Sequence, residues 1–150
     1  MSEKPSRNVR LGEAFETGEL NDPNGFIDFP NLDKQQTLAV IKFFEHVSAG
    51  YPLPGKNKPS WQDNNGNTLP NTQSYEQGNF WHYHCGPSYG QQAVKSMTFD
   101  LNINLNGQTS AEVLFYVKEN DGSITIEGFC ANHVPFPASD DPDKPNPLFQ

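Results

Sequence analysis

The chain has 150 residues, 34% hydrophobic and 12% aromatic, with 13 prolines, 12 glycines and a formal net charge of −8. This length suits one domain with a modest core. No apolar run approaches the roughly 20 residues of a membrane helix, and the sparse, scattered basic residues exclude the clustered cationic stripe that holds nucleic acid by releasing counterions.

The polar start "MSEKPSRNVR" has no apolar segment of a secretory signal behind it, so the chain is expected to be soluble and cytoplasmic. Residues 1–32 carry three basic and six acidic groups, residues 33–134 six and nine, and residues 135–150 one and three. The middle is therefore only −3, and most of the acidic excess falls at the ends. Cys85 and Cys130 are too few for a disulfide framework and read as buried free thiols.

Residues 1–32 include "TGELNDPNGFIDFP", a string of turn formers with a short apolar patch at Phe26, Ile27 and Phe29, and read as an N-terminal arm that docks by those side chains. The pattern then changes. "DKQQTLAVIKFFEHVSAG" predicts a helix over 33–49, with Asp33 as N-cap, Gly50 as C-terminal stop, and Leu38, Ile41, Phe44 and Val47 facing a sheet. Residues 51–77 read as a long polar loop anchored by Trp61.

From Asn79 the period is two. "FWHYHC" reads as a short aromatic strand, "SMTFDLNINL" as a second, and "AEVLFYVKE" and "SITIEGFC" as a closing antiparallel pair joined by "ENDGS". The expected fold class is α+β: one main helix packed on a twisted antiparallel β-sheet, with irregular proline-rich N- and C-terminal arms. The domain spans 33–134, and 135–150 is an extended acidic tail, dispensable for folding.

The chemistry centres on His82 and His84. Alternation along a strand points both to one face, with Trp81, Tyr83 and Cys85 on the other. Two imidazoles side by side can serve as base and acid in one phosphoryl transfer. His133 follows the last strand, and it converges with the pair if that strand lies beside "FWHYHC". His46 lies in the helix and is given no role. Glu127 alternates with Ile124 and Ile126 and reads as solvated.

A helix, a lysine-bearing loop, the strand "FWHYHCGPSYG" and the run "EVLFYVKENDGSITIEGFCANH" together resemble the C-terminal half of RelE/ParE-superfamily toxins of bacterial toxin–antitoxin pairs, with Trp81, Gly86, Tyr116 and His133 at the matching points. The resemblance covers roughly residues 33–134 and implies a ribonuclease that cleaves messenger RNA, often on the ribosome, without metal or other cofactor, and is silenced by a cognate antitoxin. His82 and His84 stand where such toxins carry strand arginines, the chain is acidic where they are basic, and "SMTFDLNINL" is an insertion.

Under that resemblance His82, His84 and His133 supply the proton transfers, Lys56, Lys58 and Lys118 stabilise phosphate charge, and Tyr89 stacks a base. Two other readings stay open. One is a non-enzymatic acidic interaction protein that inhibits a basic partner; the other is a small β-protein with a three-histidine metal site.

Overall fold

The computed structural model describes residues 7–22 and 25–149. The architecture is α+β, with strands β1 (Val9–Leu11), β2 (Asn57–Pro59), β3 (Phe80–Tyr83), β4 (Val113–Lys118) and β5 (Ile124–Cys130). The helices are α1 (Glu13–Thr17), α2 (Lys34–Ala49) and α3 (Gln73–Gln77). The strands form one five-stranded sheet in the order β1-β5-β4-β3-β2. It is mixed rather than all-antiparallel, because β1 pairs with β5 in parallel, Val9 opposite Ile124 and Leu11 opposite Ile126.

Helix α2 begins and ends as its sequence dictates. The Gln36 N–H donates to Asp33 Oδ1 at 2.8 Å, and the Asp33 N–H donates to Gln36 Oε1 at 2.9 Å, a reciprocal capping box. Gly50 closes it at φ 78°, a left-handed position that glycine adopts without steric cost.

The buried stripe differs from expectation. Val40, Phe43 and Val47 face the sheet, Phe43 with its ring centroid 5.3 Å from those of both Tyr83 and Tyr116. Leu38 is 50% exposed, Ile41 37%, and Phe44 is only partly buried. The segment "TLAVIKFFEHV" carries two overlapping helical stripes, and periodicity alone does not choose between them.

Two further expectations change. Residues 96–105 form no strand: Thr98 bridges Leu53 and Asn104 bridges Asn57 across isolated pairs, while Phe99 and Ile103 are more than half exposed. The stretch after the helix, expected as loop, contains β2 and α3. β2 is an edge strand, where Pro59 and the lysines are tolerated. The β4–β5 hairpin closes through "ENDGS", with the Gly122 N–H donating to the Glu119 carbonyl.

Packing crosses both expected boundaries. Residues 7–32 supply β1 and the buried Phe15 and Phe26; residues 1–6, 23 and 24 of the expected arm lie outside the described residues. At the other end Asn146 is buried and donates to Tyr75 Oη at 2.8 Å, and the Phe149 ring lies 4.9 Å from that of Phe80. Leu148 lies so close to β5 that a Cβ at Gly128 would come within 2.5 Å of it. The last residues are thus docked, against the expectation that they trail from the domain.

The sheet therefore has two covered faces. On one, α2 packs over Tyr83, Leu114, Tyr116, Ile124 and Phe129. On the other, α3 and the C-terminal segment pack over Phe80, Val113 and Phe115, with Tyr75 stacked on Phe115 at 5.5 Å and 8°. Among the described residues no helix is long and apolar enough to cross a membrane.

Candidate functional site

Strand alternation delivers His82 and His84 to the face opposite α2, as their spacing predicts. Their neighbours on and just before β2 are lysines: Lys58 is the register partner of His82, and the His84 N–H donates to the Lys56 carbonyl at 2.9 Å. His133 follows β5, and its ring sits edge-on to that of His84 at 4.8 Å. His82, His84, His133, Lys56 and Lys58 line one cavity of about 730 Å³. Sequence reasoning named all five.

Each imidazole is oriented through Nδ1. His133 Nδ1 lies 2.7 Å from the Ala111 carbonyl oxygen, which only accepts, so this nitrogen carries the proton and Nε2 holds the lone pair. His82 Nδ1 pairs with Ser60 Oγ at 2.9 Å. His84 Nδ1 faces both polar groups of Ser110: the N–H at 3.1 Å and the carbonyl oxygen at 3.0 Å. Neutral His84 accepts from the N–H; the imidazolium donates to the carbonyl. Both partners stand ready, and the other ring nitrogen carries the proton in each case.

The electrostatics favour neutral rings in the free protein. Burial, then the charge of His84 and the lysines, holds His82 well below the ordinary histidine range. Burial, then neighbouring His133, pushes His84 down to about 4, with the Ser110 hydrogen bond opposing and Lys56 and Lys58 adding to the fall. Burial lowers Lys56, and burial followed by Lys56 lowers Lys58, which Asp63 partly offsets. Among the described residues neither lysine has a carboxylate within ion-pair distance. The nearest polar partner of Lys58 is Asn64 Oδ1 at 3.1 Å.

Tyr89 and Lys118 are not part of this cavity. The Tyr89 hydroxyl donates to the His84 carbonyl, and its ring lines the groove on the α2 side with Phe43 and Leu53. It braces β3 from behind. Lys118 sits 3.4 Å above the Trp81 ring and donates to the Leu101 carbonyl at 2.7 Å; burial brings it down to about 8. Its charge is committed to the protein. His46 donates from Nδ1 to the Pro52 carbonyl, far in sequence and role from the cavity. Glu127 is half-buried and raised by burial and by Glu119, not freely solvated.

Sequence reasoning missed the parts that hold the histidines in place. Ser110 orients His84, Ala111 orients His133, and Ser60 orients His82; all three are small residues, Ser60 and Ser110 in segments read as loop or turn and Ala111 at the start of a segment read as strand. Buried Glu112 accepts from the Ser88 N–H and hydroxyl and fixes the Ser88 wall of the cavity. Phe136, assigned to a tail, lies 4.9 Å from His82 and lines the cavity.

Cys85 and Cys130 are buried free thiols, each raised by burial, Cys130 to about 11, and neither is poised as a nucleophile. Among the described residues no group of three or more His, Cys, Asp or Glu is arranged to hold a metal ion.

No family model, curated protein or solved structure matches this chain. The functional reading accordingly rests on the geometry.

Proposed function

We propose that the chain is an endoribonuclease that cleaves single-stranded RNA by histidine acid–base chemistry, in the manner of a RelE/ParE-like toxin whose strand arginines are replaced by imidazoles. The observation that carries this reading is the convergence of three imidazoles and two lysines in one cavity of an otherwise acidic protein. Burial first, and then neighbouring positive groups, disfavour the charged forms of His82, His84 and Lys58, and a bound phosphodiester offsets that penalty by supplying negative charge.

The bonding then assigns roles. His133 Nε2, the lone-pair nitrogen, takes the proton of a ribose 2′-hydroxyl. O2′ attacks phosphorus, the P–O5′ bond breaks, and O5′ receives a proton from Nε2 of His84, protonated once the phosphate is bound and held by Ser110 through Nδ1–H. Lys56 and Lys58 hold the non-bridging oxygens. His82, buried between His84 and Phe136, keeps His84 in place and binds phosphate through its remaining nitrogen. The products are a 2′,3′-cyclic phosphate and a 5′-hydroxyl, and exchange with water resets both histidines. Messenger RNA on the ribosome is the substrate the resemblance implies, and a cognate antitoxin the partner that silences it.

The test is incubation of a labelled single-stranded RNA, and of translating ribosomes, with the purified protein in EDTA. The expected result is cleavage with cyclic-phosphate ends and a bell-shaped pH dependence. Intact RNA in both substrates across the pH range, with or without divalent metal, contradicts the proposal.

A further inference from the structure

The cavity rings form a row: His133 lies 4.8 Å from His84, His84 lies 6.0 Å from His82, and His82 lies 4.9 Å from Phe136. The two lysines lie along the row on its β2 side, Lys58 opposite His82 in register and Lys56 taking the His84 N–H on its carbonyl, and the Phe136 ring closes the end beyond His82; Leu69 and Val134 add apolar lining. A nucleotide likewise joins a charged phosphate to a flat, apolar-faced base.

We propose that the C-terminal segment forms a nucleobase subsite, in which a base adjoining the bound phosphate packs on Phe136 while the phosphate lies against Lys56, Lys58 and His84. This inference rests on the ribonuclease reading and adds to it the position of the base and a role for a segment that looks like a dispensable tail. It also replaces Tyr89, which faces the other side of the sheet, as the stacking residue.

The segment is held firmly enough to serve as a wall. The Tyr75 hydroxyl donates to the Pro137 carbonyl at 2.6 Å, Ser139 is buried, and Asn146 locks the chain to Tyr75 a few residues further on. A stacking ring fixed in this way loses little freedom when a base arrives. Two of the wall's polar side chains are already engaged: the Gln92 amide is bonded to Tyr89 and Thr109, and the Ser88 hydroxyl to Glu112. Base edges are therefore read weakly, and purines and pyrimidines bind alike.

The experiment is calorimetric titration of the full chain with inorganic phosphate, uridine 3′-monophosphate and adenosine 3′-monophosphate. Both nucleotides are expected to bind about tenfold or more tightly than phosphate, and within about threefold of each other, since base–aromatic stacking is sequence-tolerant. Phe136→Leu, which keeps apolar volume but loses the flat face, should remove that excess and leave phosphate affinity unchanged, which also shows the variant is folded. Leu69→Ser should lower nucleotide affinity in the same direction from the other wall. Equal affinity for phosphate and nucleotides, or an excess that survives in both variants, overturns the subsite. If nucleotides show the Phe136-dependent excess but RNA is never cleaved, the subsite stands and the ribonuclease reading falls. If RNA is cleaved but nucleotides show no such excess, the ribonuclease reading stands and the subsite falls.

Discussion

The two faces of β3 and the residue that follows it, His84, solve different problems within five consecutive residues. Toward α2, Tyr83 packs on Phe43 and receives the Gly55 N–H on its hydroxyl at 2.9 Å; burial pushes that phenol up to about 12, so it stays neutral. Away from α2, His82 and His84 are also buried, yet they stand beside two lysines that no carboxylate among the described residues pairs. One face is apolar, its hydroxyls hydrogen-bonded. The other keeps titratable groups in a cavity at some electrostatic cost. The difference supports the proposed division, with stability on the first face and chemistry on the second, because a protein tolerates repulsion among buried groups where a ligand relieves it.

Substitutions should separate the two faces. The largest stability loss is expected for Phe43→Ala, about 3 to 5 kcal/mol by chemical denaturation, because the ring is fully buried between Tyr83 and Tyr116. Phe44→Ala should cost clearly less; equal losses would show that the helix presents the stripe centred on Leu38, Ile41 and Phe44 after all. Deleting residues 138–150 removes the Asn146–Tyr75 bond and the Leu148 and Phe149 packing, and should lower the melting temperature by about 5 to 10 °C. An unchanged melting temperature would return the segment to the status of a free tail.

Acidity should act mainly through the cavity face. Burial pushes His84 down to about 4 in the folded chain from its ordinary 6.5, and burial also holds His82 well below the ordinary histidine range. The unfolded chain therefore binds more protons, and stability falls as pH drops from about 6.5 toward 4, by up to about 1.4 kcal/mol per pH unit for each histidine. Thermal unfolding across that range should show a shallower pH slope in His82→Gln than in the wild type; identical slopes would mean that His82 is not buried as a neutral ring. The smallest effect concerns Lys118. Because its ammonium is engaged by Trp81 and Leu101, Lys118→Met should leave nucleotide affinity unchanged within about twofold, and a tenfold loss would place it in the site.

The faces also differ in how much of them the sequence reveals. Period-two alternation places His82 and His84 together, a local signal; His133 reaches them although β4 separates β5 from β3, not through the direct strand pairing its convergence was expected to need. The α2 capping box is equally legible in Asp33, Gln36 and Gly50. What covers each face is not. Two apolar stripes on one helix cannot be told apart without the sheet, and "SMTFDLNINL" alternates like a strand while its exposed Phe99 and Ile103 have no sheet to join. β2 is hidden because a three-residue edge strand of Asn57, Lys58 and Pro59, preceded by Lys56, has the composition of a loop. Phe136 is hidden because prolines suppress regular structure without preventing docking, and its partners Tyr75 and His82 lie more than fifty residues away.

The central claim is that the cavity face performs the chemistry and the α2 face does not. Single-turnover cleavage of a short RNA in EDTA, by wild type, His84→Asn, His133→Asn and Tyr116→Phe, tests it most directly, with the melting temperature of each variant measured alongside. Both histidine variants should cleave about 100-fold or more slowly with near-native melting, whereas Tyr116→Phe should be less stable, having lost its 2.7 Å bond to Asn57, but cleave at the wild-type rate. Histidine variants that cleave as fast as wild type would contradict the claim.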